Sequence, residues 1–273
     1  MKPFLFGLVF SLALLVGPAH ALEPLVQYDN FNTIFLNQQK WIGSEPNGGV
    51  LILDNSREND WGRLHFRNRS YGGTTSDSGW ATGGTRLAFT EPDKVTAIKA
   101  KVQVLYVEAT GCAANPTYTR ASVMLGGYFF NTGTPTPGSG VNDVLARVSI
   151  QRQSDSTDKP SLLRVVASVY KCLNETCTAT ETIGSVDLGA ASLWFIIPVS
   201  IQWDKNSHQF IFQLDRSPKA YIPYTYQDTS PPGLESKRIE VQARLPNCTG
   251  EPRSVAFIDA LVDDVFVNQG AAP

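Results

Sequence analysis

The 273-residue sequence predicts an all-β protein folded as a two-sheet antiparallel sandwich. Three observations carry that prediction. Apolar and polar residues alternate with period two in run after run, which is the pattern of strands with one buried face. Turn-forming clusters separate those runs at short spacing, in a chain with 22 glycines and 17 prolines. No segment of useful length carries the 3.6-residue period of an amphipathic helix.

The clearest element covers residues 193–224, LWFIIPVSIQWDKNSHQFIFQLDRSPKAYIPY. Val199, Ile201 and Trp203 alternate with Ser200, Gln202 and Asp204. Lys205-Asn206-Ser207 breaks the pattern, and Phe210, Phe212 and Leu214 resume it opposite Gln209, Gln213 and Asp215. Two alternating runs around a short polar break read as an antiparallel hairpin with one apolar face. Trp41 and Trp203 fall in the apolar phase of their runs and are expected in the core.

At the amino terminus, residues 1–21 read as an export signal. Lys2 supplies the positive start, residues 4–16 an apolar run, and Ala19-His20-Ala21 a small-x-small cleavage site. The run is too short, and too soon followed by Pro18, to span a bilayer. No cysteine marks a lipid anchor. The mature chain is expected to begin near Leu22, to form a single domain over residues 22–268 with a tail at 269–273, and to be secreted or periplasmic with no membrane span after signal cleavage. The formal charge of −2 leaves no strong basic field, so neither nucleic acid nor an anionic membrane is an expected partner.

The remaining strands follow in order. Residues 26–31, VQYDNF, open the domain, and Gly48-Gly49 introduces a strand at 50–53. Residues 54–84 read as loop-rich, interrupted by a strand at 63–67, and hold Trp61, Tyr71 and Trp80 among Gly, Ser, Thr and Asn. Ile98, Ala100, Val102, Val104 and Tyr106 then alternate with Lys99, Lys101 and Gln103. Strands at 123–130 and through Val144, Ala146, Val148 and Ile150 flank a Gly/Pro/Thr loop at 132–140. A hairpin pairs residues 162–171 with the stretch after Cys177. Beyond a Pro-rich loop at 221–233, Ile239, Val241, Ala243 and Leu245 mark a late strand, and residues 256–268, AFIDALVDDVFVN, close the domain.

Four cysteines lie beyond the leader: Cys112, Cys172, Cys177 and Cys248. An even count in an exported chain points to two disulfides. Cys172 and Cys177 flank a polar turn and are the locally favoured pair, which leaves Cys112 with Cys248. A zinc site does not fit, because only His65 and His208 lie beyond the leader and no CxxC pair occurs.

Three motifs together (YDNF at 28–31, VSIQWDKNSHQFIFQLD at 199–215 and FIDALVDDVFVN at 257–268) resemble the concanavalin A-like lectin/glucanase superfamily over about residues 25–268. The resemblance implies a jelly roll, and its members include lectins, laminarinase-like hydrolases and laminin G-like modules, so fold alone does not set function. The hydrolase branch carries its two glutamates in an ExDxxE strand, and no ExDxxE occurs here. The resemblance also implies a structural calcium ion joining the chain ends, held by Asp263 with Asp29 or the Asn30 carbonyl. Asp263 alternates with Leu261, Val265 and Val267, so its side chain is expected to point toward the apolar layer.

No GxSxG elbow is present and both expected disulfides consume the cysteines, so nucleophilic catalysis has no candidate. His65 is expected on the outer face of a strand and His208 at a hairpin turn. The remaining signal is aromatic. Flat rings suit the apolar faces of sugars, and Trp61, Tyr71, Trp80 and Tyr128 with Arg147 form the expected ligand set. The sequence therefore reads as an exported, non-catalytic glycan-binding or adhesion module. Its alternative is a cell-envelope structural protein that binds another protein; a hydrolase or lyase with an atypical site comes third.

Overall fold

A computed structural model describes residues 22–60 and 62–272. The expected leader and Trp61 lie outside the described residues. In chain order the first strands are β1 (Leu25–Asp29), β2 (Trp41–Ser44), β3 (Leu51–Asp60), β4 (Arg63–Tyr71) and β5 (Trp80–Phe89). Next come β6 (Ala97–Thr110), β7 (Arg120–Asn131), β8 (Asp143–Gln153), β9 (Leu162–Cys172) and β10 (Thr180–Ser192). The last are β11 (Ile196–Asp204), β12 (Gln209–Leu214), β13 (Ala220–Pro223), β14 (Lys237–Pro246) and β15 (Val255–Asn268). Helix is confined, among the described residues, to single 3-10 turns at Pro92–Lys94 and Gln269–Ala271.

The strands form two antiparallel sheets. One runs β13-β12-β11-β6-β15-β4-β3, with β1 pairing β15 beyond the point where β4 ends. The other runs β10-β9-β8-β7-β14-β5-β2. At the centre of each sheet sequence-distant strands are neighbours, β15 lying between β4 and β6 and β14 between β5 and β7, as in the expected jelly-roll sandwich. Between the sheets, Ile98, Ala100, Val102, Val262 and Val265 join Val123, Leu125, Val148, Ile239 and Val241 in one buried cluster. The expected central hairpin has the register read from its alternation: Val199 opposite Leu214, Ile201 opposite Phe212, Trp203 opposite Phe210.

Three expectations change in the structure. Residues 54–84 are largely strand: β3 continues to Asp60 and β5 begins at Trp80. β3 is a sheet edge whose side chains are neither fully buried nor paired on one side, so its polar sequence LILDNSREND hides the strand. The glycines of β5 serve close packing, since a Cβ on Gly84 would meet the Val241 carbonyl oxygen at 2.1 Å. Second, β15 carries a bulge after Asp263, with Asp264 at φ 46°, so Val262 and Val265 both enter the core. That bulge breaks the alternation expected through Leu261, Asp263 and Val265, and Asp263 is half-buried rather than aimed into the apolar layer. Third, Trp203 is half-buried at the edge of the core; it stacks on Phe130 with ring centroids 5.4 Å apart and donates from Nε1 to the Tyr224 hydroxyl at 2.7 Å.

Both disulfides form as expected, Cys112 with Cys248 and Cys172 with Cys177, with Cα separations of 6.1 and 4.8 Å. The first closes a loop of 136 residues, and in the chain-entropy account a loop of that length stabilises by about 4–5 kcal/mol.

One charge sits inside the sandwich. Lys237 is 2% exposed, lies over the Phe129 ring at 5.0 Å and donates to the Pro92 carbonyl at 2.8 Å, with no carboxylate in ion-pair range among the described residues. Burial pulls its amine down to about 8. The unfolded chain therefore holds a proton that the folded chain lacks between pH 8 and 10.5, and folding stability rises with pH across that window. Lys237→Met is expected to stabilise the protein at pH 7 by about 3 kcal/mol. That gain should shrink toward zero as pH approaches 10.5, when urea denaturation of the two proteins is compared at each pH.

Candidate ligand-binding groove

The outward face of the second sheet is polar because every second residue of its inner strands is committed to the core. On β14, Ile239, Val241, Ala243 and Leu245 point inward, which turns Arg238, Glu240, Gln242 and Arg244 outward. The same alternation turns out Arg120, Ser122, Met124 and Tyr128 on β7 and Leu145 and Arg147 on β8. Tyr170 on β9 and Trp80 and Arg86 on β5 share that face. All of these but the buried Ser122 and Met124 line a groove of about 660 Å³. Its walls are loops: Glu175–Thr178, Gly138, and Leu234–Ser236.

The walls are tied down. Asp143 is fully buried and accepts from Asn131 Nδ2 and from the backbone N–H groups of Gly233 and Leu234, each at 2.8 Å. The Gly140 N–H donates to the Glu175 carbonyl at 2.7 Å, docking the β7–β8 loop on the loop closed by Cys172–Cys177. In the floor, Gly126 lies at φ 143° and opens a hollow of about 20 Å³ beside Arg147, Arg238 and Glu240. A Cβ there would meet the Ala146 carbonyl oxygen at 2.2 Å.

Five arginines and three glutamates line the groove, in a chain whose net charge is −2. The absence of a basic field inferred from net charge is thus corrected locally, because sheet pairing gathers arginines from β5, β7, β8 and β14. Glu240, buried, takes two of them: Arg238 Nε at 2.7 Å and Arg86 Nε at 3.5 Å. Burial pushes the Glu240 carboxyl up, but Arg238 and Arg86 outweigh it and hold it below its ordinary 4.5. A carboxyl so held stays ionised at neutral pH and is a poor proton donor. Its stabilising contribution is complete above pH 4.5 and is lost as pH falls through the lower folded value.

The other three arginines have no carboxylate in ion-pair range among the described residues. Arg244 lies between two rings, 4.3 Å from Trp80 and 5.0 Å from Tyr118, and donates to the Tyr118 hydroxyl at 3.0 Å. Arg147 lies 5.0 Å over Tyr170. Arg120 donates to Gln242 Oε1 at 3.3 Å. Burial, together with Arg147 and Arg244, pulls the Arg120 guanidinium down to about 10, so it remains charged at neutral pH. Burial pushes the Tyr170 phenol up, yet Arg147, Ser168 and Arg120 bring it below its ordinary value.

Of the expected ligand set, the groove collects Trp80, Tyr128 and Arg147. Tyr71 does not join them. It ends β4, whose inward residues are Leu64 and Phe66, so it lies on the outward face of the other sheet, under Arg69. Arg120, Arg244, Arg238, Glu240, Tyr118 and Tyr170 were not singled out from sequence. The available signal was the polar half of the β14 alternation, Arg238-x-Glu240-x-Gln242-x-Arg244, whose apolar half marked the strand. His65 lies on the outer face of β4 with Nε2 2.7 Å from Asp259 Oδ1, and His208 sits at its hairpin turn 3.2 Å from Asp228.

Of the residues expected to hold calcium, Asp29 and Asp263 already accept hydrogen bonds within the chain. β1 does meet β15, with Asp29 opposite Val265. Asp29 Oδ1 accepts from the Phe31 N–H at 2.9 Å and Oδ2 from Trp41 Nε1 at 2.7 Å. The Asn30 side chain accepts from the Asn32 N–H at 3.3 Å, and Asp263 Oδ1 from the Asp264 N–H at 2.6 Å. The local chemistry makes Asp29 the anchor of the Trp41 indole.

In class, then, the molecule is a two-sheet β-sandwich with an arginine-lined groove across one outward face. The sequence matches no protein-family model, and comparison with curated proteins finds no match. Among solved structures it is similar to the laminarinase from Flavobacterium sp. UMI-01, at 14% identity and a TM-score of 0.49, covering 90% of this chain and 100% of that one. It is also similar to the catalytic domain of an endo-1,3-beta-glucanase (laminarinase) from Thermotoga petrophila RKU-1, at 13% identity and a TM-score of 0.43, covering 91% and 100%. A third is the potassium-bound Emp46p carbohydrate recognition domain, at 12% identity and a TM-score of 0.37, covering 87% and 96%. At these identities and scores neither ligand nor activity passes from those proteins to this chain.

Two outcomes are expected from this geometry. Glu240→Gln leaves Arg86 and Arg238 without their counter-charge and should lower stability by about 3 kcal/mol, read from the urea midpoint. Asp29→Ala should lower the melting temperature by removing the acceptor of the Trp41 indole and the Phe31 N–H, with the wild type in excess EDTA measured beside it. A drop in EDTA that added calcium reverses would instead place a metal between the chain ends.

Proposed function

We propose that the chain is an exported glycan-binding module, secreted or periplasmic, whose groove holds a segment of polysaccharide without cleaving it. The observation that carries this reading is the groove itself: a polar trough on the outward sheet face with Trp80, Tyr118 and Tyr170 beside hydrogen-bonding groups. Rings offer apolar sugar faces a surface, and guanidinium, amide and hydroxyl groups serve the sugar hydroxyls. Glu240, the carboxylate in the floor, is locked between Arg86 and Arg238, which supports binding over glycosidic hydrolysis. The two disulfides suit an oxidising compartment.

A second reading, binding of another protein at the cell envelope, draws on a different surface. Between β10 and β11 the turn exposes Trp194, Phe195 and Ile196, at 64, 67 and 57%. Such a contiguous apolar tip is a common mark of protein contact.

A glycan array with the mature chain separates the two. Saturable binding that Trp80→Ala weakens by about tenfold supports the groove reading. Binding to no glycan at high protein concentration would favour the protein-binding reading and the apolar tip. Release of reducing ends from a bound polysaccharide would overturn the non-catalytic part.

A further inference from the structure

We propose that the groove selects polysaccharides whose sugars carry negative charge, and that Arg120, Arg147 and Arg244 are the groups that read it. This rests on the glycan-binding reading above and names the class of glycan. The trio differs from the other two groove arginines in forming no ion pair, although Arg147 lies near enough to Glu240 to help lower its carboxyl. Arg86 and Arg238 are neutralised by Glu240, and no described carboxylate lies in ion-pair range of the remaining three.

Most of their donors are also unspent. A guanidinium carries five N–H donors. Arg120 and Arg244 each spend one donor, on Gln242 and Tyr118, while their Nε atoms, like that of Arg86, are shielded from solvent and have no hydrogen-bond partner among the described residues. Buried donors without acceptors are uncommon and costly in a folded protein, and a bound oxyanion would satisfy them. Neutral hydroxyls would supply weaker acceptors and no charge.

The rings complete the case. Trp80 and Tyr118 hold the Arg244 plane, and Tyr170 lies under Arg147. Stacking of this kind fixes a guanidinium plane while leaving its N–H edge free for a carboxylate or sulfate. Burial lowers the Arg120 value most and the charges of Arg147 and Arg244 add to it, and an anionic ligand relieves that repulsion. Uronate and sulfate share this chemistry. A single-stranded nucleic acid would also offer anionic oxygens and flat bases, and the oligonucleotide in the titration below tells it apart from an acidic polysaccharide.

The test is a titration of the mature chain, at physiological salt, with polygalacturonate, dextran sulfate, laminarin, poly-glutamate and a single-stranded oligonucleotide. The expected result is that one or both acidic polysaccharides bind at least about tenfold tighter than laminarin, poly-glutamate and the oligonucleotide. Which of the first two binds better distinguishes uronate from sulfate. Arg147→Gln and Arg120→Gln should each reduce the ratio of acidic to neutral affinity by about tenfold. Arg147→Lys, which keeps the charge but loses the planar fork, should fall between the wild type and Arg147→Gln. A rise in the wild-type melting temperature with the acidic polysaccharide gives the same answer without a variant. Equal binding of laminarin, with the ratio unmoved in the Gln variants, overturns charge selection and leaves glycan binding standing. Equal binding of poly-glutamate or the oligonucleotide overturns the glycan class. Binding to no polysaccharide overturns both readings.

Discussion

β14 imposes the constraint on which both halves of this molecule depend. It lies between β5 and β7, so both of its hydrogen-bonding edges are taken and each side chain must face either the core or the groove. Ile239, Val241, Ala243 and Leu245 are almost wholly buried. Their fixed register then places Arg238, Glu240, Gln242 and Arg244 in one outward column, and a slip of one residue would put two arginines and a glutamate into the apolar layer. The core thus sets the groove: the packing that selects the register also aligns Arg244 with Arg120 across the β14–β7 ladder.

A column of arginines facing a protein-walled trough is stable only if its charge is managed. Glu240 does so for half of the site, taking Arg238 from its own strand and Arg86 from its cross-strand partner. Arg147 and Arg244 lie on aromatic faces rather than against acids, and Arg120 donates to the Gln242 amide; cation–π contact holds a charge in place without cancelling it. The distinction matters for chemistry. Salt-bridged arginines are spent, whereas stacked ones still carry a full charge and free donors. A protein using these residues only for stability would gain more from acidic partners or apolar replacements, which is the physical ground for the binding role proposed above.

How much of this was legible in the sequence follows the same physics. Where one face is buried, alternation gives both strand and register, and Val199–Leu214 or Ile201–Phe212 could be read from residues alone. Where a strand sits at an edge, as β3 does, neither face is fully buried and LILDNSREND shows no clear alternation. At the β15 bulge the period itself changes phase, and no one-dimensional pattern places Asp263 on its actual side. Net charge misled for a related reason. It sums over the chain, while a groove samples one face of four or five strands drawn from different parts of it. Tyr71 and Trp80, nine residues apart, end on different sheets.

The disulfides finish what the strands begin. β-Ladders fix the groove floor but not its walls, which are loops without regular backbone pairing. Cys172–Cys177 closes the turn that supplies Glu175 and Thr176 to one wall, and the Gly140 and Asp143 hydrogen bonds carry that order to the loops around Gly138 and Gly233. At the Trp80 end, Cys112–Cys248 ties the start of the β6–β7 loop to the residues after β14. Asn115 there donates to the carbonyls of Gly79 and Asn247, each at 2.9 Å. Trp80 and Tyr118 therefore flank Arg244 from segments joined by a covalent cross-link and by buried amide contacts. The rings that orient the charge are held as firmly as the floor, so a ligand entering the groove pays little to order its walls.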